Sequence, residues 1–197
     1  MRIGTKAACM SALLVLAGCA AQTPPVELTR FHLGQPIAPG HIAVEPRNPN
    51  DAKSLEFENF AGSIARELKG RGFTIAPNLP QSELVAVVDV ETATRETGPE
   101  RSKFTIGLGG GTFGGGVGVG GGVNIPVGKK ITPRSTRTDL FIQIKRRSDG
   151  SVIWEGRART EARDGTPYAS PAAAVDRLAT ALFKDFPGVS GRTITVK

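Results

Sequence analysis

Between Thr138 and Ala162 the chain alternates apolar and polar residues with a period of two, interrupted once by a turn. Leu140, Ile142 and Ile144 alternate with Phe141, Gln143 and Lys145. Val152, Trp154, Gly156 and Ala158 then alternate with Ile153, Glu155, Arg157 and Arg159. Ser148-Asp149-Gly150-Ser151 lies between the two runs, and its glycine tolerates the positive φ such a turn needs. A period of two places successive side chains on opposite faces of a strand. The stretch therefore predicts a β-hairpin with one face turned to a core. Trp154 falls on that face and is expected to plug the core rather than to serve a ligand.

The remaining segments supply partners for this hairpin. Val26 to Leu33 reads as a strand whose apolar members are Val26, Leu28, Phe31 and Leu33. Four prolines between Gly34 and Asn50 predict an extended connection with a short strand at His41 to Val44. Phe57, Phe60, Ala61, Ile64, Ala65 and Leu68 recur at three-and-four spacing, which predicts a helix with one apolar stripe. Ser54 or Asn50 caps its start, and Gly70 is expected to supply the left-handed residue that ends it. Short strands are expected at Phe73 to Ile75 and at Glu83 to Thr92, the second buried at its start and emerging at its end. A second helix opens with Ser170 as cap and Pro171 at its first position. Its stripe is Val175, Leu178, Ala179, Leu182, Phe183 and Phe186, and Pro187-Gly188 stops it. Thr193 to Val196 can add a last strand. This order predicts an α+β fold: a largely antiparallel sheet with two helices packed on one face, plus a glycine-rich hairpin or loop insertion at 107–128.

That insertion holds 12 of the chain's 25 glycines in 22 residues. Ordering a glycine costs roughly 0.5–1 kcal/mol more than ordering an alanine. Twelve cost about 6–12 kcal/mol, comparable to the ~5–15 kcal/mol net stability of a whole domain. The tract is therefore either a mobile loop or is fixed by something outside it. Phe113, Val117, Val119, Val123, Ile125 and Val127 all occupy odd positions, and Phe104, Ile106 and Leu108 alternate upstream. Two strand-like arms turning at Gly109-Gly110-Gly111 fit this pattern, and such a hairpin could dock on a partner or enter a lipid surface.

The beginning of the chain reads as an address rather than a fold. Met1-Arg2 and Lys6 form a positive start, Ala7 to Ala17 is a nearly unbroken apolar run, and Leu16-Ala17-Gly18 leads into Cys19. This is a secretory signal peptide with a small-residue cleavage site. It is similar to the lipobox of bacterial lipoproteins, which implies cleavage before Cys19 and acylation of its thiol and amine. A membrane span is excluded on length, since Ala7 to Ala17 rises about 16 Å as a helix at ~1.5 Å per residue against a hydrocarbon core of ~30 Å. The chain has two cysteines, and Cys9 lies in the removed piece, 1–18. One cysteine remains at the first mature position, so no internal disulfide can form, and lipidation explains the odd thiol. Residues 19–26 then form a short tether and 27–190 one domain. Ala20, in place of an aspartate that resembles an inner-membrane retention signal, favours the periplasmic face of an outer membrane. Losing Arg2 and Lys6 takes the formal charge from +7 to +5. With one tryptophan and one tyrosine, and scattered positives, no stacking basic patch for nucleic acid is expected.

Little in the sequence points to catalysis. Only two histidines exist, His32 and His41, and neither sits in a pattern that marks a nucleophile or its orienter. Asp89 and Glu91 share one strand face, with Glu161 and Asp164 potentially nearby; paired carboxylates can do acid–base work. Gly109-x-Gly111-x-x-Gly114 matches the dinucleotide fingerprint by letter, but no helix opens after it. Gly128-Lys129 lacks the Ser or Thr that a phosphate loop places next. No metal-ligand spacing occurs. No cofactor, metal or catalytic residue is therefore assigned, and the one site assigned is Cys19.

The order of segments resembles a known family. A lipobox and first strand are followed by a helix ending in Glu67 to Phe73 (ELKGRGF) and a strand from Ser82 to Val90 (SELVAVVDV). A glycine-rich insertion comes next, then the Asp139 to Ala158 hairpin (DLFIQIKRRSDGSVIWEGRA) and a helix ending in Leu182 to Gly188 (LFKDFPG). This is similar to bacterial envelope lipoproteins with domain of unknown function 4136, over about Leu28 to Gly188. The resemblance implies an α+β domain and brings no established activity or catalytic residues. The expected role is a non-catalytic interaction or scaffolding domain held to the membrane, with a possible envelope protein partner. A small envelope enzyme acting on cell-wall or lipid material is the alternative, and an oligomeric membrane element built from the glycine hairpins is a third.

Overall fold

A computed structural model describes residues 23–76, 82–98, 101–108 and 123–197, with 101–108 and 123–131 described by their backbone. The expected signal peptide, Cys19 and the turn at Gly109–Gly111 lie outside the described residues. In chain order the elements are β1 (Val26–His32), β2 (His41–Pro46), α1 (Leu55–Gly70), β3 (Thr74–Ile75), β4 (Leu84–Glu96) and β5 (Arg101–Leu108). They continue with β6 (Val123–Ile131), β7 (Arg134–Arg146), β8 (Val152–Arg163), α2 (Pro171–Phe183) and β9 (Thr193–Val196).

Seven strands form one sheet in the order β3-β2-β4-β7-β8-β1-β9. The alternating run of the sequence is its centre: β7 pairs antiparallel with β8, aligning Leu140 with Ala158, Ile142 with Gly156 and Ile144 with Trp154. β4, β1 and β9 extend it by antiparallel pairing. β2 pairs parallel with β3 and with β4, because α1 carries the chain back across the sheet before each of them. The sheet is thus mostly antiparallel with one parallel corner.

Both helices cover the same face. Ser54 Oγ accepts the Phe57 N–H and Ser170 Oγ accepts the Ala173 N–H, satisfying donors that have no partner inside their helices. α1 buries Phe60, Ile64 and Leu68 over the β2 and β3 side of the sheet, and α2 buries Val175, Leu178, Leu182 and Phe183 over β1, β7 and β8. An Arg66–Asp176 ion pair at 2.9 Å and a Thr180–Glu67 hydrogen bond at 2.8 Å join the helices across their exposed rims. Trp154 is fully buried. Its ring stacks on Phe183 at 5.4 Å between centroids, meets Phe186 at 5.3 Å, and donates from Nε1 to the Pro187 carbonyl at 3.0 Å. The close helix approach needs Gly156, where a Cβ would come within 2.3 Å of Trp154 Cη2 and 3.0 Å of Leu182 Cδ2.

β1 departs from the expected pattern. Phe31 and Leu33 are 44% and 84% exposed, whereas Arg30 is only 4% exposed. Strict alternation explains this: Val26, Leu28 and Arg30 share the inward phase, which throws Phe31 to the open face. Arg30 is tolerated inside because its Nε and one terminal nitrogen donate to the Leu182 and Ala181 carbonyls, both at 2.8 Å. Those carbonyls end α2 and have no donor within the helix. Burial holds the Arg30 guanidinium below its ordinary value while Asp185 opposes that shift. Gly188, at φ +82°, lies against the same side chain; a Cβ there would sit 2.5 Å from Arg30 Cδ.

The glycine-rich insertion prolongs the β4–β7 pair. The main ladder ends at Glu96 opposite Arg134, the Thr97 N–H donates to the Pro133 carbonyl, and β5 then pairs antiparallel with β6 as a separate two-stranded ribbon. Its register sets Phe104 opposite Val127, Ile106 opposite Ile125 and Leu108 opposite Val123. Phe113, Val117 and Val119 of the expected alternation lie outside the described residues.

Candidate functional site

With the helices on one face, the opposite face of the sheet is left open, and its odd-numbered residues form a shallow groove of about 610 Å³. The register builds it row by row. One row aligns Asp89, Phe141, Arg157 and Thr29; the next aligns Glu91, Asp139, Arg159 and Glu27. Phe141 is half-buried at the centre, with the Arg47 guanidinium 4.3 Å and the Arg157 guanidinium 5.1 Å from its ring centre. Each of these cations also has a carboxylate: Arg47–Asp89 at 2.9 Å and Arg157–Glu155 at 2.8 Å. Arg137 grips Asp139 with two hydrogen bonds, at 2.6 and 2.9 Å. That bidentate grip raises the Arg137 affinity for its proton. Opposite charges thus alternate over the face and largely neutralise one another.

This arrangement bears on the candidate acids. Asp89 is committed to Arg47, and Glu91 lies in the adjoining row of the groove. Glu161 sits two strands across and one row beyond Glu91, about 12 Å away between backbone positions at ~4.8 Å per strand and ~3.3 Å per residue. Glu161 instead takes a bidentate contact from Arg95, at 3.0 and 2.7 Å, and a short hydrogen bond from the Ser135 hydroxyl. Those donors, Ser135 foremost, hold its carboxyl below the usual range. Asp164 accepts from Thr136 Oγ1 at 2.7 Å. Asp89 and Glu91 therefore share the groove, while Glu161 and Asp164 lie outside its lining and bond to other partners.

His32 is likewise occupied. The Gly34 N–H donates to its Nδ1 at 3.1 Å, which leaves the ring proton on Nε2, 3.0 Å from the Gly188 carbonyl. The ring ties the end of β1 to the loop after α2. His41 is exposed at the start of β2. Among the described residues, no group of three His, Cys, Asp or Glu residues stands close enough to hold a metal, and no helix is long and apolar enough to cross a membrane.

A second feature lies at one end of the sheet. Val26 opens β1 opposite Thr160, which faces Thr138, which faces Thr92, four residues short of the Glu96 end of β4. The chain thus enters the sheet at the end from which the β5–β6 ribbon leaves. Its entry is pinned: the Pro25 carbonyl accepts from Thr160 Oγ1 at 2.9 Å, the Pro24 carbonyl accepts from Arg177 at 2.5 Å, and Thr23 Oγ1 lies 3.3 Å from the Tyr168 hydroxyl. Four residue steps separate Thr23 from Cys19, which reach at most about 14 Å at ~3.6 Å each.

Sequence reasoning missed the inward Arg30 and the Arg47–Phe141–Arg157 stack. The first was visible in principle, since Arg30 continues the even phase of Val26 and Leu28. The second was not, because Arg47 reaches Phe141 from beyond Pro46, outside any strand periodicity.

The family described as Domain of unknown function (DUF4136) matches residues 35–188. An uncharacterized protein of Zymomonas mobilis is 35% identical over 215 residues, covering 89% of this chain and 81% of its own. Among solved structures, the PelC dodecamer from Paraburkholderia phytofirmans aligns with a TM-score of 0.43 at 10% identity, over 79% of this chain and 93% of its own. A minor lipoprotein from Acinetobacter baumannii aligns with a TM-score of 0.41 at 13% identity, over 76% of this chain and 91% of its own. With the profile match spanning most of the chain and a relative of this identity over nearly its whole length, the chain belongs to the DUF4136 family.

Proposed function

We propose that this chain is a lipid-anchored, non-catalytic interaction domain of the bacterial envelope, held to the periplasmic face of the outer membrane through Cys19. The observation that carries the anchor is Leu16-Ala17-Gly18-Cys19, which leaves a single thiol at the first mature position. One acyl chain holds only marginally, whereas two or more hold stably at ~0.8 kcal/mol per buried methylene. Acylation of thiol and amine therefore needs no apolar protein surface to keep the domain in place. The pinned entry at Thr23–Pro25 fits such an anchor, because it fixes which end of the domain faces the bilayer.

The interaction role draws on the open sheet face. Its ionisable groups are spent on one another in Arg47–Asp89, Arg137–Asp139 and Arg157–Glu155 pairs, leaving a flat, charge-alternating surface suited to a protein partner. Intact mass and fractionation test the anchor. The mature protein is expected to begin at Cys19 with added acyl mass and to stay with membranes through a high-salt, alkaline wash, and Cys19→Ser is expected to lose the acyl mass and this wash-resistant attachment. Wash-resistant sedimentation of Cys19→Ser together with a wild-type mass free of acyl chains would overturn it. A photo-crosslinker at Thr29 on the open face tests the interaction role. Capture of an envelope protein from that position, abolished by Arg157→Glu, is expected; equal capture from Glu58 on the exposed side of α1 would refute it.

A further inference from the structure

We infer that the β5–β6 ribbon lies on the same bilayer leaflet that holds Cys19, with one face in the boundary between head groups and acyl chains. The choice of leaflet rests on the anchor proposed above; the ribbon's affinity for lipid does not. The first support is register. Phe104 and Val127, Ile106 and Ile125, and Leu108 and Val123 are opposed pairs. Residues directly opposed in an antiparallel pair, repeated every second position, occupy one face. Six apolar residues thus share a face, while the alternate positions are Thr105 opposite Pro126 and Gly107 opposite Asn124.

Charge is the second support. Neither strand contains an acidic residue. The cations Arg101, Lys103, Lys129 and Lys130 gather at the base of the ribbon, where Arg101 is opposite Ile131 and Ser102 opposite Lys130. Basic residues beside an apolar face are what an anionic head-group layer attracts. Neutral pairing governs the open sheet face, so this concentration of one sign is local to the ribbon.

Position is the third. The ribbon leaves the sheet at the end where the chain enters, and the last pinned residue before the anchor is Thr23. About 14 Å of chain at most lies between Thr23 and the anchored residue. That end of the domain is therefore held at the bilayer surface, and the ribbon's base with it.

The ribbon lies in the interface rather than across the membrane. A two-stranded ribbon leaves N–H and C=O groups unpaired along both outer edges, and hydrocarbon cannot satisfy them. Laid flat, those edges stay at head-group depth while the apolar face sinks ~5–10 Å. Pro126 has no N–H to leave unsatisfied.

A single-thiol experiment tests this, because lipidation consumes the Cys19 thiol. Ile106→Cys, with Glu58→Cys on the exposed side of α1 as control, carries an environment-sensitive fluorophore on the lipidated protein in vesicles of phosphatidylethanolamine and phosphatidylglycerol. We expect a blue-shifted emission quenched by brominated lipid at 106 and unchanged aqueous emission at 58. An aqueous spectrum at 106 on a protein that is nevertheless anchored overturns the ribbon proposal and leaves the anchor standing. Quenching at 106 by a water-soluble quencher trapped inside the vesicles means a spanning assembly, and overturns it too. In a second arm, the unlipidated Cys19→Ser mature chain should itself bind phosphatidylglycerol vesicles, with about 100-fold weaker partitioning after I106E and I125E. An unchanged melting temperature would show that the double variant folds. No binding by the Cys19→Ser chain overturns the proposal, and acyl mass, read separately, reports on the anchor alone.

Discussion

Gly156→Ala is the sharpest test of the core, because it adds one methyl group where the structure has no room. The new Cβ would lie 2.3 Å from Trp154 Cη2, 2.9 Å from Cζ3 and 3.0 Å from Leu182 Cδ2. Ordinary carbon contacts are ~3.5–4.0 Å, so the indole must retreat by more than about 1 Å. It has little freedom to do so, being stacked on Phe183, wedged by Phe186 and bonded through Nε1 to the Pro187 carbonyl. Overpacking of this kind costs about 1–3 kcal/mol, and losing the Nε1 bond adds about 0.5–1.5 kcal/mol. Replacing glycine returns about 0.5–1 kcal/mol of chain entropy. The expected net destabilisation is about 0.5–4 kcal/mol, or roughly 2–4 °C in Tm for each kcal/mol in a domain of this size. Urea unfolding of the unlipidated mature chain measures it, and Trp154, the single tryptophan, reports directly on the strained contact. Trp154→Phe should cost less in the Gly156→Ala background than alone, since the smaller ring vacates the contested space. A Gly156→Ala protein as stable as the parent would show that this account of the Trp154 pocket is wrong.

Arg30→Met should destabilise by about 2–4 kcal/mol in the same assay, because the Ala181 and Leu182 carbonyls at the end of α2 lose their donors; Arg30→Lys should fall between. Glu161 has a depressed carboxyl value, so its stabilisation is complete above the ordinary ~4.3 and disappears as pH falls through the lower folded value. The deficit of Glu161→Gln relative to the parent should therefore be full at pH 7 and shrink towards zero below about pH 4, as followed by urea titrations across that range. On the open face, a double-mutant cycle between Arg47→Gln and Phe141→Leu should return a coupling of about 0.5–1 kcal/mol, as expected for a guanidinium over a partly solvated ring.

Much of the fold is legible in local periodicity. The β7–β8 hairpin, both helix caps at Ser54 and Ser170, and the burial of Trp154 follow from alternation, helical spacing and side-chain hydrogen bonding. What fails is anything set by a distant partner. Phe31 looks like a core residue beside Leu28, yet the sheet phase turns it outward and gives its place to Arg30, whose buried charge makes sense only once the end of α2 is above it. Strand spacing decides the carboxylates in the same way: Glu91 and Glu161 are separated by the β7 strand, which no one-dimensional pattern reveals. The parallel pairing of β2 with β4 depends on where α1 returns the chain, which the length of the connection leaves open.

The sheet ends in a two-residue strand, β3, on one side and a four-residue strand, β9, on the other. Should the proposed anchor confine the domain to a plane, it would meet its own copies far more often than in solution. Such stubby borders give a neighbour too little ladder to zip onto. Growth of the seven-stranded sheet by adding strands at those two borders is thereby disfavoured.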